Sequence, residues 1–262
     1  MVESGAMTNV FERIGSRVVG GCSLLGKTGL FLLESAGQCF VRPYRPRRII
    51  EQIHFVGVKS LFVIILTASF TGMVLAIQGF HTLRKFGAEG LLGSVVALSL
   101  IRELGPVLTA LMVIGRAGSA MTAEIGILRI SGVIMALDAM AIEPRKFLVS
   151  PRLVGAVVAI PLLTAIFIVV GVLGGGLVGV GLLGVDLGDY FGRMEQSVEL
   201  ADIAGGLWKS FAFAILIGWV CTWKGYNTQR GAQGVGTATT TAVVVSSVLV
   251  LVGDYILTSV LL

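Results

Sequence analysis

Apolar residues in this chain come in runs too long for the interior of a small globule, separated by short polar bursts. Ser60 to Phe80 carries no charge, and neither does Leu153 to Val185. Gly90 to Ile114 is broken only at Arg102 and Glu103, Gly205 to Trp223 only at Lys209, and Thr237 to Leu262 only at Asp254. About 20 helical residues cross the roughly 30 Å hydrocarbon layer of a bilayer. The pattern therefore predicts five transmembrane helices, over about 55–80, 90–115, 153–185, 205–223 and 237–262. The third run would measure about 50 Å as one straight helix. It must tilt, overshoot the membrane or break, and its glycines at 171, 174, 175, 176, 179, 181 and 184 mark where a break costs least.

Two segments outside these runs show helical amphipathicity. Phe11, Ile14, Val18, Cys22 and Leu25 recur at three- and four-residue spacing, with Arg13, Arg17 and Lys27 placed elsewhere around the helix. That is the pattern of a basic helix lying on a membrane surface. Between the second and third runs, Ile127, Ile130, Ile134, Leu137 and Ala141 share a face, flanked by Arg129, Asp138 and Glu143. This predicts an amphipathic helix over about 126–143 that ends at Pro144. In Arg42-Pro-Tyr-Arg-Pro-Arg-Arg48, two prolines among the arginines read as a surface linker beside anionic headgroups. The expected fold is all-α and integral to the membrane: an interfacial segment and linker at 1–48, then a transmembrane domain at 49–262.

Composition supports the membrane assignment. Charged residues make up 13% of the chain and the mean hydropathy is +0.92, outside the range of soluble domains. Basic residues are unevenly placed, with eight up to Lys59 and five from Arg116 to Arg152. By the positive-inside rule this predicts a cytoplasmic N-terminus and, after five crossings, a C-terminus on the other side. Glu34 interrupts the only early apolar run, so no removed signal peptide is expected. Cys22, Cys39 and Cys221 are scattered and the only histidines are His54 and His81, so neither a disulfide framework nor a metal site is expected. No nucleic-acid partner is expected either.

Gly21-Cys-Ser-Leu-Leu-Gly-Lys-Thr28 matches the P-loop pattern letter for letter. A working P-loop follows a buried strand inside a nucleotide-binding domain. Here helical periodicity runs through the motif, and no ATP hydrolysis by this chain is expected. Arg102 and Glu103 are the stronger signal, because a charge at the bilayer centre costs about 2.5–3.5 kcal/mol on insertion scales. Such residues face a partner or a polar cavity, or else snorkel to the headgroups. Lys209, beside Trp208, and Asp254 read as interfacial anchors. The small residues of Gly115 to Glu124 suit close helix packing, with Arg116 and Glu124 near the cytoplasmic interface.

The run Ala97-Leu-Ser-Leu-Ile-Arg-Glu-Leu-Gly-Pro-Val-Leu-Thr-Ala-Leu-Met112, followed by Gly115-Arg-Ala-Gly-Ser-Ala-Met-Thr-Ala-Glu-Ile-Gly126, resembles the signature of the MlaE family of permeases. Phe70-Thr-Gly-Met-Val-Leu-Ala-Ile-Gln-Gly79, Met140-Ala-Ile-Glu-Pro and Val149-Ser-Pro-Arg152 resemble it as well. The resemblance implies a homodimeric ABC-type permease in a bacterial inner membrane that moves phospholipid to or from periplasmic carriers and maintains outer-membrane lipid asymmetry. It implies three protein partners: an MlaF-like ATPase that uses the ATP, an MlaB-like STAS protein, and an MlaD-like ring of MCE domains. It implies no cofactor bound by this chain. It also implies a lipid cavity lined by Leu75, Gln78 and Phe80 with Arg102 and Glu103 contributing, and a coupling helix at 126–143 carrying Arg129, Ile134, Leu137, Asp138 and Glu143. Where family members commonly carry Glu-Gln in that helix, this chain has Gly132-Val133.

Two other classes compete. A secondary transporter or channel would use Arg102 and Glu103 on an ion path, yet no internal repeat is evident. A membrane enzyme would need clustered His, Cys or paired carboxylates suited to chemistry in the spans, and the sequence offers none.

Overall fold

A computed structural model describes residues 19, 23, 26–35, 37–38, 46–229 and 231–261. The chain divides into two units, Met1–Tyr44 and Arg45–Leu262. In the first, residues 26–35 are helical, including Gly26, Lys27 and Thr28 of the P-loop-like run. Phe11, Ile14, Val18, Cys22 and Leu25, on which the expected surface helix rested, lie outside the described residues, as do Gly21 and residues 24–25 of the run.

The second unit is helical, with no strand among the described residues, and five helices are long and apolar enough to cross a membrane. They run Pro46–Arg84, Glu89–Ile130, Arg145–Gly181, Leu200–Tyr226 and Ala232–Val260, and are called here the first to fifth spans. The first begins earlier than expected. Pro46 opens a helix over Pro46–Val56 instead of closing a linker, since proline lacks only an N–H that a first-turn residue leaves unpaired anyway. A 3-10 turn at Val58–Ser60 joins it to Leu61–Arg84.

The third span is the hub, packing against the first, second and fourth and against the helix Pro46–Val56. It does not break. Ser150–Gly181 is one continuous helix, and the left-handed Gly184 lies beyond its end. Its glycines instead allow close approach. A Cβ on Gly72 of the first span would sit 1.8 Å from the carbonyl oxygen of Gly171, and one on Gly174 would sit 2.7 Å from that of Ser69. Helices in lipid gain little from apolar burial, so bare backbone that lets two helices touch is what holds them. On the facing side of the first span, Ile64, Ala68, Gly72 and Ala76 are buried at four-residue spacing.

An acidic stretch from Asp186 follows the third span. It folds into an amphipathic helix, Leu187–Ser197, capped by the Asp186 carboxylate, which accepts from the backbone N–H of Gly188 at 2.8 Å and of Asp189 at 3.2 Å. Tyr190 on this helix is fully buried against Gly93, Gly175 and Gly179, and its hydroxyl donates to the Val172 carbonyl at 3.1 Å. Burial pushes that hydroxyl up to about 12, so it remains a donor at neutral pH.

The segment between the second and third spans is not a single helix over 126–143. Residues Ser119–Ile130 finish the second span, and a separate short helix covers Val133–Ala139. The break falls at Gly132, in the left-handed region at φ 78°. Only glycine adopts that conformation without steric cost, so the same Gly132 that departs from the family pattern makes the turn.

Candidate functional site

The second span carries an irregularity where its charges lie. Leu100–Leu104 forms a π-helical turn, closed by the Gly105 N–H donating to the Leu100 carbonyl. Pro106 explains it. Four residues after Arg102, proline has no N–H to offer, so the Arg102 carbonyl loses its helical partner. That carbonyl accepts from Lys209 Nζ of the fourth span at 2.9 Å.

Lys209 joins three spans. Its ammonium lies 2.9 Å from Glu103 Oε2 on the second span and 3.4 Å from Asp254 Oδ1 on the fifth, and donates to Thr258 Oγ1 at 2.7 Å. With its side chain 4% exposed, it is a buried cation held by carboxylates rather than an interfacial anchor. Asp254 likewise turns into the bundle, 21% exposed in its side chain. Arg102 pairs with Asp202 at 2.8 Å and makes no ion pair with its neighbour Glu103. Asp202 also accepts from the Glu199 N–H at 3.1 Å, closing a capping box at the start of the fourth span. The pair sits beside that helix start, near the end of the bundle that carries the Leu187–Ser197 helix, not midway along the span.

Close backbone contact sets the spacing. A Cβ on Gly206 would lie 2.3 Å from the Ile101 carbonyl, so the fourth span touches the π-turn and Lys209 reaches across it. Arg102, Glu103, Ala201, Asp202, Gly205, Gly206, Lys209 and Thr258 line a cavity of about 70 Å³. That is room for a few waters, far below the roughly 300–1,000 Å³ of ligand pockets. Within one chain the cluster is a polar joint between spans, in which Asp254 Oδ1 keeps an ion-pair contact with Lys209 but has no hydrogen bond.

The other expected lining residues lie elsewhere. Leu75 is half-buried against the core and Gln78 is exposed on the first span. Phe80, 6% exposed, turns into the core, and its ring lies 5.7 Å from Arg84 Cζ. None of the three lines the Arg102 cavity. Asp202, Lys209, Asp254 and Thr258 were not expected to serve this site. The signals for them were Pro106, four residues after Arg102, and the need of each intramembrane charge for a partner.

At the opposite end, Ile134 is fully buried and anchors the short helix, with Leu137 half-buried. Asp138 and Glu143 are exposed, and Arg129, on the second span, stacks over the Tyr226 ring at 5.7 Å. Ile127, Ile130, Val133, Met135 and Met140 leave an exposed apolar patch there. Arg152 is buried and bonds Glu124 at 3.0 Å.

Five long apolar helices, packed through bare glycine backbone and tied across three spans by buried ion pairs, define a multi-pass membrane protein of the transporter kind. Its sequence matches the family model described as Permease MlaE over residues 49–260, and the chain belongs to that family. It is 40% identical over 257 residues to the intermembrane phospholipid transport system permease protein MlaE of Haemophilus influenzae, covering 97% of this chain and 98% of the relative. It is 39% identical to a probable ABC transporter permease protein of Rickettsia bellii, over 96% of this chain and 97% of that one. A more distant relative is TRIGALACTOSYLDIACYLGLYCEROL 1 of the Arabidopsis thaliana chloroplast, 34% identical over 88% of this chain and 67% of its own length.

Proposed function

We propose that this chain is the membrane permease subunit of an ABC-type transporter that moves phospholipid between the inner membrane and periplasmic carriers and so maintains outer-membrane lipid asymmetry. The observation that carries this is its 40% identity, across nearly the full length of both chains, to a permease named for intermembrane phospholipid transport. The N-terminus is cytoplasmic and the C-terminus periplasmic, in keeping with the basic residues gathered from Arg116 to Arg152.

The chain works as a homodimer. The fifth span supports this: only one row of it, with Ala242, Ser246 and Val250, is buried, while Val244, Val248, Leu251, Val252 and Tyr255 are exposed. Phospholipid passes beside the first span, where Leu75 and Gln78 are the accessible members of the expected set, and Arg102 and Glu103 hold the wall behind it. Phe80 supports the span from inside. ATP is hydrolysed by a separate MlaF-like subunit, accompanied by an MlaB-like STAS protein, and lipid is exchanged with an MlaD-like ring. The short helix Val133–Ala139 couples to the ATPase. Ile134 roots it, Leu137 and Arg129 brace it, and Asp138, Glu143 and the exposed Met135 meet the partner.

Reconstitution tests this directly. Purified chain alone should show no ATPase activity, and with its ATPase it should move phospholipid in an ATP-dependent way. Met135→Asp should uncouple the two while the chain stays folded. Flux that survives removal of ATP but collapses with the proton gradient would replace this reading with a secondary transporter.

A further inference from the structure

We propose that the basic end of the bundle holds an anionic phospholipid, its headgroup at Lys59 and Arg116 and one acyl chain along the exposed face of the first span. The proposal deepens the phospholipid-transport reading and rests on it. Lys59 Nζ lies 5.4 Å from the centroid of the Phe55 ring, and Arg116 Cζ lies 5.0 Å from the same centroid. Arg116 donates to the Phe55 carbonyl and, at 3.3 Å, to Ser60 Oγ. No carboxylate among the described residues forms an ion pair with either cation. Two positive charges thus share one ring with no carboxylate partner among the described residues.

Their depth says what neutralises them. Lys59 directly precedes the uncharged run Ser60 to Phe80, and Arg116 directly follows the uncharged run Leu104 to Gly115. Both cations therefore stand at the boundary between hydrocarbon and headgroups, where lipid phosphates lie. From that boundary Val58, Phe62, Leu66, Phe70 and Val74 run up the span at four-residue spacing, each at least 47% exposed. Phe62 to Val74 covers about 18 Å of helix, close to the depth of one leaflet in a roughly 30 Å hydrocarbon layer. From Phe62 onward the stripe lies inside the uncharged run, out of reach of a soluble acidic protein. A zwitterionic headgroup would bring its own cation against the two already there, so a net-negative lipid is favoured.

The test is lipid retention by the full chain in complex with its ATPase, reconstituted in nanodiscs of equal phosphatidylglycerol and phosphatidylethanolamine. After mild detergent release, mass spectrometry should find phosphatidylglycerol retained several-fold over phosphatidylethanolamine. Lys59→Gln should bring the ratio to that of the bilayer, and Lys59→Arg should preserve the excess. Lys59 is the residue to change because, among the described residues, its amine meets only the Phe55 ring, whereas loss of Arg116 also unties the Pro46–Val56 helix. Equal retention by the parent protein, or an undiminished excess in Lys59→Gln, overturns the site. ATP-driven transport in vesicles of phosphatidylethanolamine alone tests the transport reading separately, since it needs no anionic lipid.

Discussion

At one end of the bundle Lys209 lies between Glu103 and Asp254 with 4% of its side chain exposed, and at the other Lys59 and Arg116 meet an aromatic ring and, among the described residues, no carboxylate. Both groups belong to spans of the same membrane domain, yet their electrostatics run in opposite directions. The first is closed on itself: each cation has a carboxylate, the freed Arg102 carbonyl has a donor, and the cavity beside them has room for only a few waters. The second is open, its charge left for something outside the chain. A membrane protein tolerates charge within its spans by internal pairing, and it places unpaired cations where the bilayer can supply the anion.

Breaking the closed cluster should cost most. Lys209→Met leaves two carboxylates with no cation between them, and loss of one member of a buried pair costs about 3–5 kcal/mol. Unfolding in detergent micelles should shift accordingly, and adding Glu103→Gln with Asp254→Asn should recover much of the loss. Gly206→Ala forces a methyl against the Ile101 backbone, a strain that no rotamer relieves. It should destabilise by about 1–3 kcal/mol and open the Lys209 contact, measurable by the same unfolding.

The more exposed pair of that cluster sharpens the comparison. Arg102 is 45% exposed in its side chain, so a double-mutant cycle of Arg102→Ala and Asp202→Ala should show coupling of about 1 kcal/mol or less. The smallest effect belongs to the open end. Lys59→Gln should leave stability within about 0.5 kcal/mol of the parent while changing which lipid is retained.

Much of this was legible along the chain because membrane insertion is a local property. A run such as Ser60 to Phe80 declares a span without reference to any other residue, and five helices are long and apolar enough to cross a membrane, the first starting earlier and the second ending later than expected. Errors arose where a residue's role depended on a distant one. The glycines of the third span were read as the places where a break would cost least, but Gly171 turned out to face Gly72 of the first span in one close contact. Lys209 looked like an anchor beside Trp208 because Glu103 and Asp254 are remote in sequence. The expected helix over 126–143 carried a consistent apolar face, yet one left-handed glycine divides it.

Apolar run length, basic bias and the long motif around Arg102 determined by themselves that this chain is a multi-pass membrane protein of the MlaE family, since partition into lipid depends on composition over a window of about 20 residues. Tertiary structure alone decided which charges neutralise one another and which remain open. Pairing energy depends on separations of a few ångströms between side chains about a hundred residues apart, and only helix packing sets those separations.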